Sequence, residues 1–236
     1  ATKIIPTKAF DNATSCSSEN SIVIVESAYE LLVEALVAHG AVLLDNRGKA
    51  DLKALMWLEE KLNPVIMAQS ANTIAALAGI DTAGKDDIRV LLVEETGTGH
   101  DYPFSGEKLS PVLALYRVPD FESACQKVSA IYAYQGAGHS VGIHTTNADR
   151  PVRLGLELRA CRVIVNQAHC FATGGSFDNG LPFSLSMGCG SWGGNSISEN
   201  LDYRHYLNIV RVVCPVVPDE PTEDTLLGEY WSRYGR

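Results

Sequence analysis

No run in the 236 residues approaches the roughly 18 consecutive apolar positions that a membrane-spanning helix needs, so no transmembrane segment is expected. The N-terminus, Ala-Thr-Lys-Ile-Ile-Pro, lacks the long apolar core and small-residue cleavage site of a signal peptide. Clusters of Lys and Arg are missing too. With a formal net charge of −9, the chain is a poor candidate for binding nucleic acid, which needs grouped cations to meet phosphates. There is no CxxC pair. The six cysteines, at 16, 125, 161, 170, 189 and 214, are scattered, and in a chain this long they read as free thiols of a reducing cytosol. Neither they nor His169 and His205 fall into a metal-ligand spacing, so no metal is expected. Internal repeats and low-complexity tracts are absent. Asn12-Ala13-Thr14 matches a glycosylation acceptor, which carries little weight without a secretory context.

What is present is a composition of 46% hydrophobic and 20% charged residues, enough to bury a sizeable core as one large domain or two small ones. The chain opens on Ala and not on Met, which fits an excised or processed fragment. Strand and helix signals then alternate. Ser21 to Glu26 is a short β-branched run, hence a buried strand. Ser27-Ala28-Tyr29-Glu30 fits a capping box that opens a helix through His39, closed by Gly40. Lys49 to Leu62 and Ser70 to Ala78 read as helices, Arg89 to Glu94 and Pro111 to Val118 as strands. Asp120 can cap a helix whose apolar positions, Phe121, Ala124, Cys125, Val128 and Ile131, keep helical spacing. Ser140 to Thr145 and Cys161 to Asn166 read as strands flanking a helix near Arg153 to Leu158. This alternation predicts an α/β fold with a mainly parallel sheet flanked by helices. From about Gly174 the texture turns to loop, Tyr203 to Val213 returns as one long strand, and Thr222 to Arg233 forms a short terminal helix.

Three residues stand out as chemistry. Cys16 sits in Phe10-Asp11-Asn12-Ala13-Thr14-Ser15-Cys16-Ser17-Ser18-Glu19-Asn20, small and polar just before a buried strand. Its Ser neighbours suit a nucleophilic thiol at the mouth of a cleft, but they also suit a structural thiol in a turn. His139 follows Gly136-Ala137-Gly138, a tight turn from which an imidazole can reach a cleft or merely satisfy a loop. Glu107 stands beside Lys108, either as a working carboxylate or as a solvated loop residue. His144, inside a predicted strand, reads as structural. Gly188-Cys189-Gly190-Ser191-Trp192-Gly193 satisfies G-x-G-x-x-G, yet it comes late and is followed by more loop and a terminal strand, where a fingerprint lies between a strand and a helix early in a βαβ unit. It is therefore rejected as a dinucleotide fingerprint.

Four blocks, in order, resemble the CoA-acylating branch of the aldehyde dehydrogenase superfamily. That branch includes acylating sulfoacetaldehyde and succinate-semialdehyde dehydrogenases and the aldehyde domain of bifunctional aldehyde–alcohol dehydrogenases. The blocks are the Cys16 segment, Gly106-Glu107-Lys108-Leu109-Ser110-Pro111-Val112, Gly136-Ala137-Gly138-His139-Ser140, and the Gly-rich loop from Leu185 to Leu201; the resemblance extends to about residue 213. It implies an aldehyde-dehydrogenase catalytic domain over residues 1–200, an oligomerisation strand over 201–214 and a tail with a short helix over 215–236. The Rossmann-type NAD-binding domain would lie outside this chain.

The resemblance also implies a reaction. Cys16 would attack a small aldehyde to give a thiohemiacetal, hydride would leave to NAD or NADP, and the thioester on Cys16 would pass to CoA. Glu107 would hold the nicotinamide ribose hydroxyls, His139 would assist CoA attack or steady the thiolate, and Gly188, Gly190 and Trp192 would line the substrate channel. Phe171 to Gly180 leans towards an anionic aldehyde such as sulfoacetaldehyde. A cytoplasmic homo-oligomer is expected, with the fragment alone inactive. Three alternatives stay open: a hydrolytic aldehyde dehydrogenase, a Cys-dependent hydrolase and a non-catalytic assembly module.

Overall fold

The apolar runs beginning near residues 21, 90 and 112 become the heart of a parallel sheet in the computed structural model, which describes residues 1–82, 84–85 and 87–236. The strands are β1 (Ser21–Val25), β2 (Ala41–Leu43), β3 (Trp57–Leu58), β4 (Lys61–Leu62), β5 (Val90–Glu94), β6 (Val112–Val118), β7 (Val141–Ile143) and β8 (Val163–Val165). The helices are α1 (Ile4–Ala9), α2 (Tyr29–Ala38), α3 (Asn46–Met56), α4 (Ala71–Leu77), α5 (Phe121–Tyr134), α6 (Asp149–Glu157), α7 (His169–Thr173) and α8 (Glu223–Tyr234). The main sheet runs β1-β6-β5-β2 with every pairing parallel, in the register Ser21 with Ala114, Leu91 with Val112 and Ala41 with Val90. β7 and β8 form a separate parallel pair, with Val141 opposite Val163.

Side chains alternate across a strand, and here both faces are covered, so β5 and β6 are apolar apart from Glu94 and Arg117, the exposed residues near their C-terminal ends. On one face Leu91, Val93, Val112, Ala114 and Tyr116 pack with Leu52 and Met56 of α3, Ile74 of α4 and Ile131 of α5. On the other, Val90, Leu92, Leu113 and Leu115 pack with Ile5 of α1 and with Tyr29, Val33 and Leu36 of α2. Each fully buried aliphatic side chain contributes about 1.5–3 kcal/mol, well above any single helix-propensity difference, so this core decides the arrangement of the chain around it. Caps then trim the ends. Asp45, Ser70 and Asp120 accept from the N–H groups of Gly48, Thr73 and Ser123 at 2.7, 3.2 and 2.8 Å.

Three local expectations are corrected. The helix read over Lys49 to Leu62 instead starts at Asn46 and ends at Met56; β3 and β4 follow as a hairpin. Its two-residue turn, Glu59-Glu60, has φ of 49° and 65°, the left-handed pair that a tight hairpin needs, adopted here without the usual Asn or Gly signal. The capping box at Ser27 does not form. Residues Glu26–Ala28 make a 3₁₀ turn and Ala28 leads into α2 uncapped, while Glu26 and Glu30 reach across to Arg117 at 2.7 and 2.9 Å. Finally, Tyr203 to Val213 is not a strand within this chain. Tyr203–Tyr206 is a 3₁₀ turn and the residues after it are irregular, since a strand exists only as a ladder with a partner and no partner strand is present among the described residues.

Contacts divide the chain into two units, Ala1–Asp202 and Tyr203–Arg236. The first holds the main sheet, the β3–β4 hairpin, the β7–β8 pair and all the chemistry-bearing residues described below. In the second, α8 is capped by Thr222, whose side chain accepts from the Thr225 N–H at 3.2 Å. No helix among the described residues is long and apolar enough to cross a membrane.

Candidate active site

Cys16 reaches solvent because the chain before it turns in a way L-residues rarely adopt. After α1, Asp11, Asn12 and Ala13 take φ of 48°, 49° and 60°, three successive left-handed residues. The Thr14 hydroxyl ties the turn by donating to the Asp11 carboxylate at 2.7 Å, and the Asn12 amide anchors it to the Ala68 carbonyl at 2.9 Å. Cys16 follows, exposed, ahead of β1.

The His139 turn meets this thiol from the other sheet. Gly138, with φ of 89°, admits no side chain, because a Cβ there would stand 2.1 Å from the Cys189 carbonyl oxygen. The turn thereby packs directly on the Gly-rich loop and carries His139 Nε2 to 3.3 Å from Cys16 Sγ. Behind it, His139 Nδ1 lies 2.7 Å from Ser140 Oγ, which lies 2.9 Å from His169 Nε2. Burial, with the Arg162 cation as a lesser cause, lowers the pKa of His139 below the usual imidazole value. Burial likewise lowers His169 to about 4, helped by His139 and His144.

Arg162, just before β8, is 5% exposed and acts as the clamp of this region. Its guanidinium donates to the carbonyls of Gly188 (3.0 Å), His139 (3.3 Å) and Ser198 (3.4 Å) and to Asn200 Oδ1 (2.8 Å). Asn200 in turn donates to the Thr173 and Pro182 carbonyls, both at 2.9 Å. One planar fork thus joins the His139 turn to both limbs of the Gly-rich loop. Within that loop Gly188 N–H donates to the Glu199 carbonyl and Gly190 N–H to the Ile197 carbonyl, at 2.9 and 2.8 Å, and Trp192 is half exposed at its tip.

Glu107 is exposed on the loop before β6, its N–H donating to Gln135 Oε1 at 2.8 Å. The loop is pinned from below by Lys108, whose buried ammonium donates to the Phe104 and Gly106 carbonyls at 2.7 and 2.8 Å. Burial pushes Lys108 well below the usual lysine range, with the Lys8 cation adding to the effect. Lys8 itself, 1% exposed, is lowered to about 7 by burial, offset by Glu19, Cys170 and Glu107. Burial raises the thiols of Cys170 and Cys189, and the Cys16 sulfur adds to the effect on both. Phe10 and Phe171 meet edge to face, 5.3 Å between ring centres. The structure therefore brings Cys16, His139 and the base of the Gly-rich loop together, with Glu107 on a separate pinned loop.

Sequence reasoning passed over Ser140, Arg162 and Asn200, and saw in His169 only the lack of a ligand set. Arg162 carried a usable signal, a lone cation at the start of an apolar strand. Ser140 and His169 carried none, because 29 positions separate the two partners of that hydrogen bond.

No protein-family model matches the chain. It is 57% identical over 236 residues to an acylating sulfoacetaldehyde dehydrogenase of Cupriavidus necator, covering 100% of this chain and 48% of that protein. Over that half it is similar in sequence to the CoA-acylating branch of the aldehyde dehydrogenases. A sulfoacetaldehyde dehydrogenase of an Acholeplasma species is 41% identical over 235 residues, 98% of this chain and 48% of the relative. Among solved structures, an acetylating aldehyde dehydrogenase from Geobacillus thermoglucosidasius superposes with a TM-score of 0.87 at 34% identity, covering 94% of this chain and 48% of that one. The chain thus spans about half the length of the acylating dehydrogenases it matches, and its α/β fold with a helix-flanked parallel sheet is theirs.

Proposed function

We propose that this chain is the thiol-bearing part of an enzyme that oxidises a small aldehyde to its acyl-CoA with NAD or NADP. The supporting observation is the exposed Cys16 thiol with a half-buried imidazole 3.3 Å away, on a turn built for that approach. Cys16, as thiolate, attacks the aldehyde carbon and makes a C–S bond. Charge then develops on the former carbonyl oxygen, and the Cys16 backbone N–H is one donor in reach of it. When the C–H bond breaks, its electron pair leaves as hydride and the carbon stays on Cys16 as a thioester. A second thiol, that of CoA, displaces Cys16 and inherits the acyl group, so one sulfur ester replaces another with little free-energy change. His139 steadies the thiolate at both ends of this sequence, when Cys16 attacks and when it leaves.

Glu107 fits the nicotinamide cofactor: it is exposed, and its loop is pinned by Lys108, so its carboxylate can accept from two ribose hydroxyls. When bound, that cofactor supplies the hydride acceptor. An anionic aldehyde such as sulfoacetaldehyde is the proposed substrate, supported by what the relatives at 57% and 41% identity act on. We take the enzyme to be a cytoplasmic homo-oligomer. Six free cysteines support the compartment, and the exposed apolar side chains of Leu207, Ile209, Val210, Val212 and Val213 support a strand completed by another copy.

The test has two arms. This chain alone, given sulfoacetaldehyde, CoA and NAD or NADP, is expected to yield no reduced cofactor. The same chain within a polypeptide of its relatives' full length is expected to yield sulfoacetyl-CoA. Free acid formed without CoA by that longer protein would overturn the acylating reading in favour of hydrolysis.

A further inference from the structure

We infer that Ser140 and His169 are positioning residues that hold His139 as a neutral imidazole with its proton on Nε2, so that it donates to the Cys16 sulfur without forming a thiolate–imidazolium pair. The inference rests on the reading of Cys16 as the nucleophile and adds to it the state in which its partner is kept.

The argument is a count of donors. Ser140 Oγ sits between two ring nitrogens, His139 Nδ1 at 2.7 Å and His169 Nε2 at 2.9 Å. A hydroxyl has one hydrogen, so it donates to one ring and accepts from the other. The two imidazoles are therefore coupled: if His169 carries its hydrogen on Nε2, Ser140 must donate to His139 Nδ1, and the His139 hydrogen must sit on Nε2. If His169 carries its hydrogen on Nδ1, the whole chain reverses and His139 Nε2 becomes a bare base facing the thiol.

The surroundings of His169 choose between these. Its Nδ1 is buried with no hydrogen-bond partner among the described residues. It faces Gly142 of β7, where a Cβ would come within 2.7 Å of the same nitrogen. A hydrogen on that atom would be a buried N–H without an acceptor, and such orphans are rarer than an unused lone pair. The hydrogen therefore sits on Nε2. Ser140 then fills the Nδ1 lone pair of His139, and Nε2–H points at Cys16 across 3.3 Å. Protonating His139 would need that Nδ1 lone pair, which the Ser140 hydroxyl occupies. The charged and titratable groups around it add to this: Arg162 is the cation facing His139, His169 is held neutral by burial to pH about 4, and His144 beyond it opposes further positive charge. Cys16 itself gives its proton to solvent, to which it is exposed.

The experiment uses this chain labelled with ¹⁵N-histidine and reads long-range proton–nitrogen correlations of the rings from about pH 5 to about pH 8. His139 is expected as the Nε2–H tautomer, staying neutral below the pH where an ordinary histidine titrates. His169→Leu frees Ser140 to accept from Nδ1, and the titration of His139 should then move up by roughly one pH unit, the worth of one hydrogen bond to the neutral ring. His169→Gln keeps an N–H near the Nε2 position and should restore the original titration, which a purely structural role would not require. Should His169→Leu fail to fold, Ser140→Ala removes the same donated hydrogen and should shift His139 in the same direction.

Iodoacetamide labelling of Cys16, followed by peptide mass spectrometry, gives a second reading. His169→Leu should add a reactive fraction at about pH 6 that a further His139→Ala change removes, the mark of an ion pair released. A His139 found as Nδ1–H or as imidazolium at neutral pH in the unsubstituted chain would overturn the proposal, as would a titration unmoved in both variants. Neither readout involves aldehyde or CoA. Failure of acyl-CoA formation therefore counts against the proposed function alone, and an unexpected tautomer counts against this inference alone.

Discussion

Replacing Arg162 by Met is the sharpest test of how the site is held. Met fills much of the same volume and removes the fork. Four acceptors, the carbonyls of His139, Gly188 and Ser198 and the Asn200 side chain, then lose their donor in a place where Arg162 was only 5% exposed. Breaking a buried charged network by removing one partner costs roughly 3–5 kcal/mol. With a urea dependence of about 2 kcal/mol per M, the unfolding midpoint should fall by roughly 1.5–2.5 M. Because the same fork joins the His139 turn to the Gly-rich loop, iodoacetamide labelling of Cys16 should change as well. Removing the cation should also let the His139 pKa rise towards its ordinary value, since Arg162 is the second cause of its lowering. Arg162→Lys keeps the charge but offers a single point in place of a planar fork, and should recover only part of the loss. A Met variant within about 1 kcal/mol of the unsubstituted chain, with Cys16 reactivity unchanged, would refute the clamp.

Other outcomes follow from the same geometry. In a full-length enzyme Cys16→Ala should abolish acyl-CoA formation with the fold intact, and Cys189→Ala should cost far less. Iodoacetamide should label Cys16 ahead of Cys189, whose thiol burial raises, and the reverse order would move the nucleophile elsewhere. His139→Ala should depress the first burst of reduced cofactor and the steady-state rate together, by roughly tenfold or more. A burst left intact would make His139 the base for CoA instead. Lys8→Met should stabilise the chain near neutral pH by roughly 2–4 kcal/mol, less whatever Glu19 loses with its cation. The sign follows from a folded pKa of about 7 against 10.5: the unfolded chain binds the proton more readily, so stability rises as pH climbs from about 7 towards 10.5, and Met should flatten that rise in denaturation curves taken across the window.

The sequence by itself determined the parts of this protein that depend on neighbours along the chain. Short apolar and β-branched runs marked β1, β5 and β6 to within a residue or two. Asp120 marked the start of α5, and Gly40, at φ of 97°, the end of the turn after α2. Short motifs singled out Cys16, Glu107 and His139 because a polar segment before a strand, or glycines before a histidine, are local facts. Tertiary structure decided the rest. The hairpin at Glu59-Glu60 interrupts what reads as one helix, because the core formed by β5, β6 and α3 outweighs local preference there. Tyr203 to Val213 has the composition of a strand and no partner strand among the described residues to make it one. Above all, the meeting of Cys16 with His139, the Ser140 link to His169 and the Arg162 clamp join residues up to 123 positions apart. Hydrogen bonds form between atoms the fold brings together, and nothing in the spacing of those residues along the chain could say which they would be.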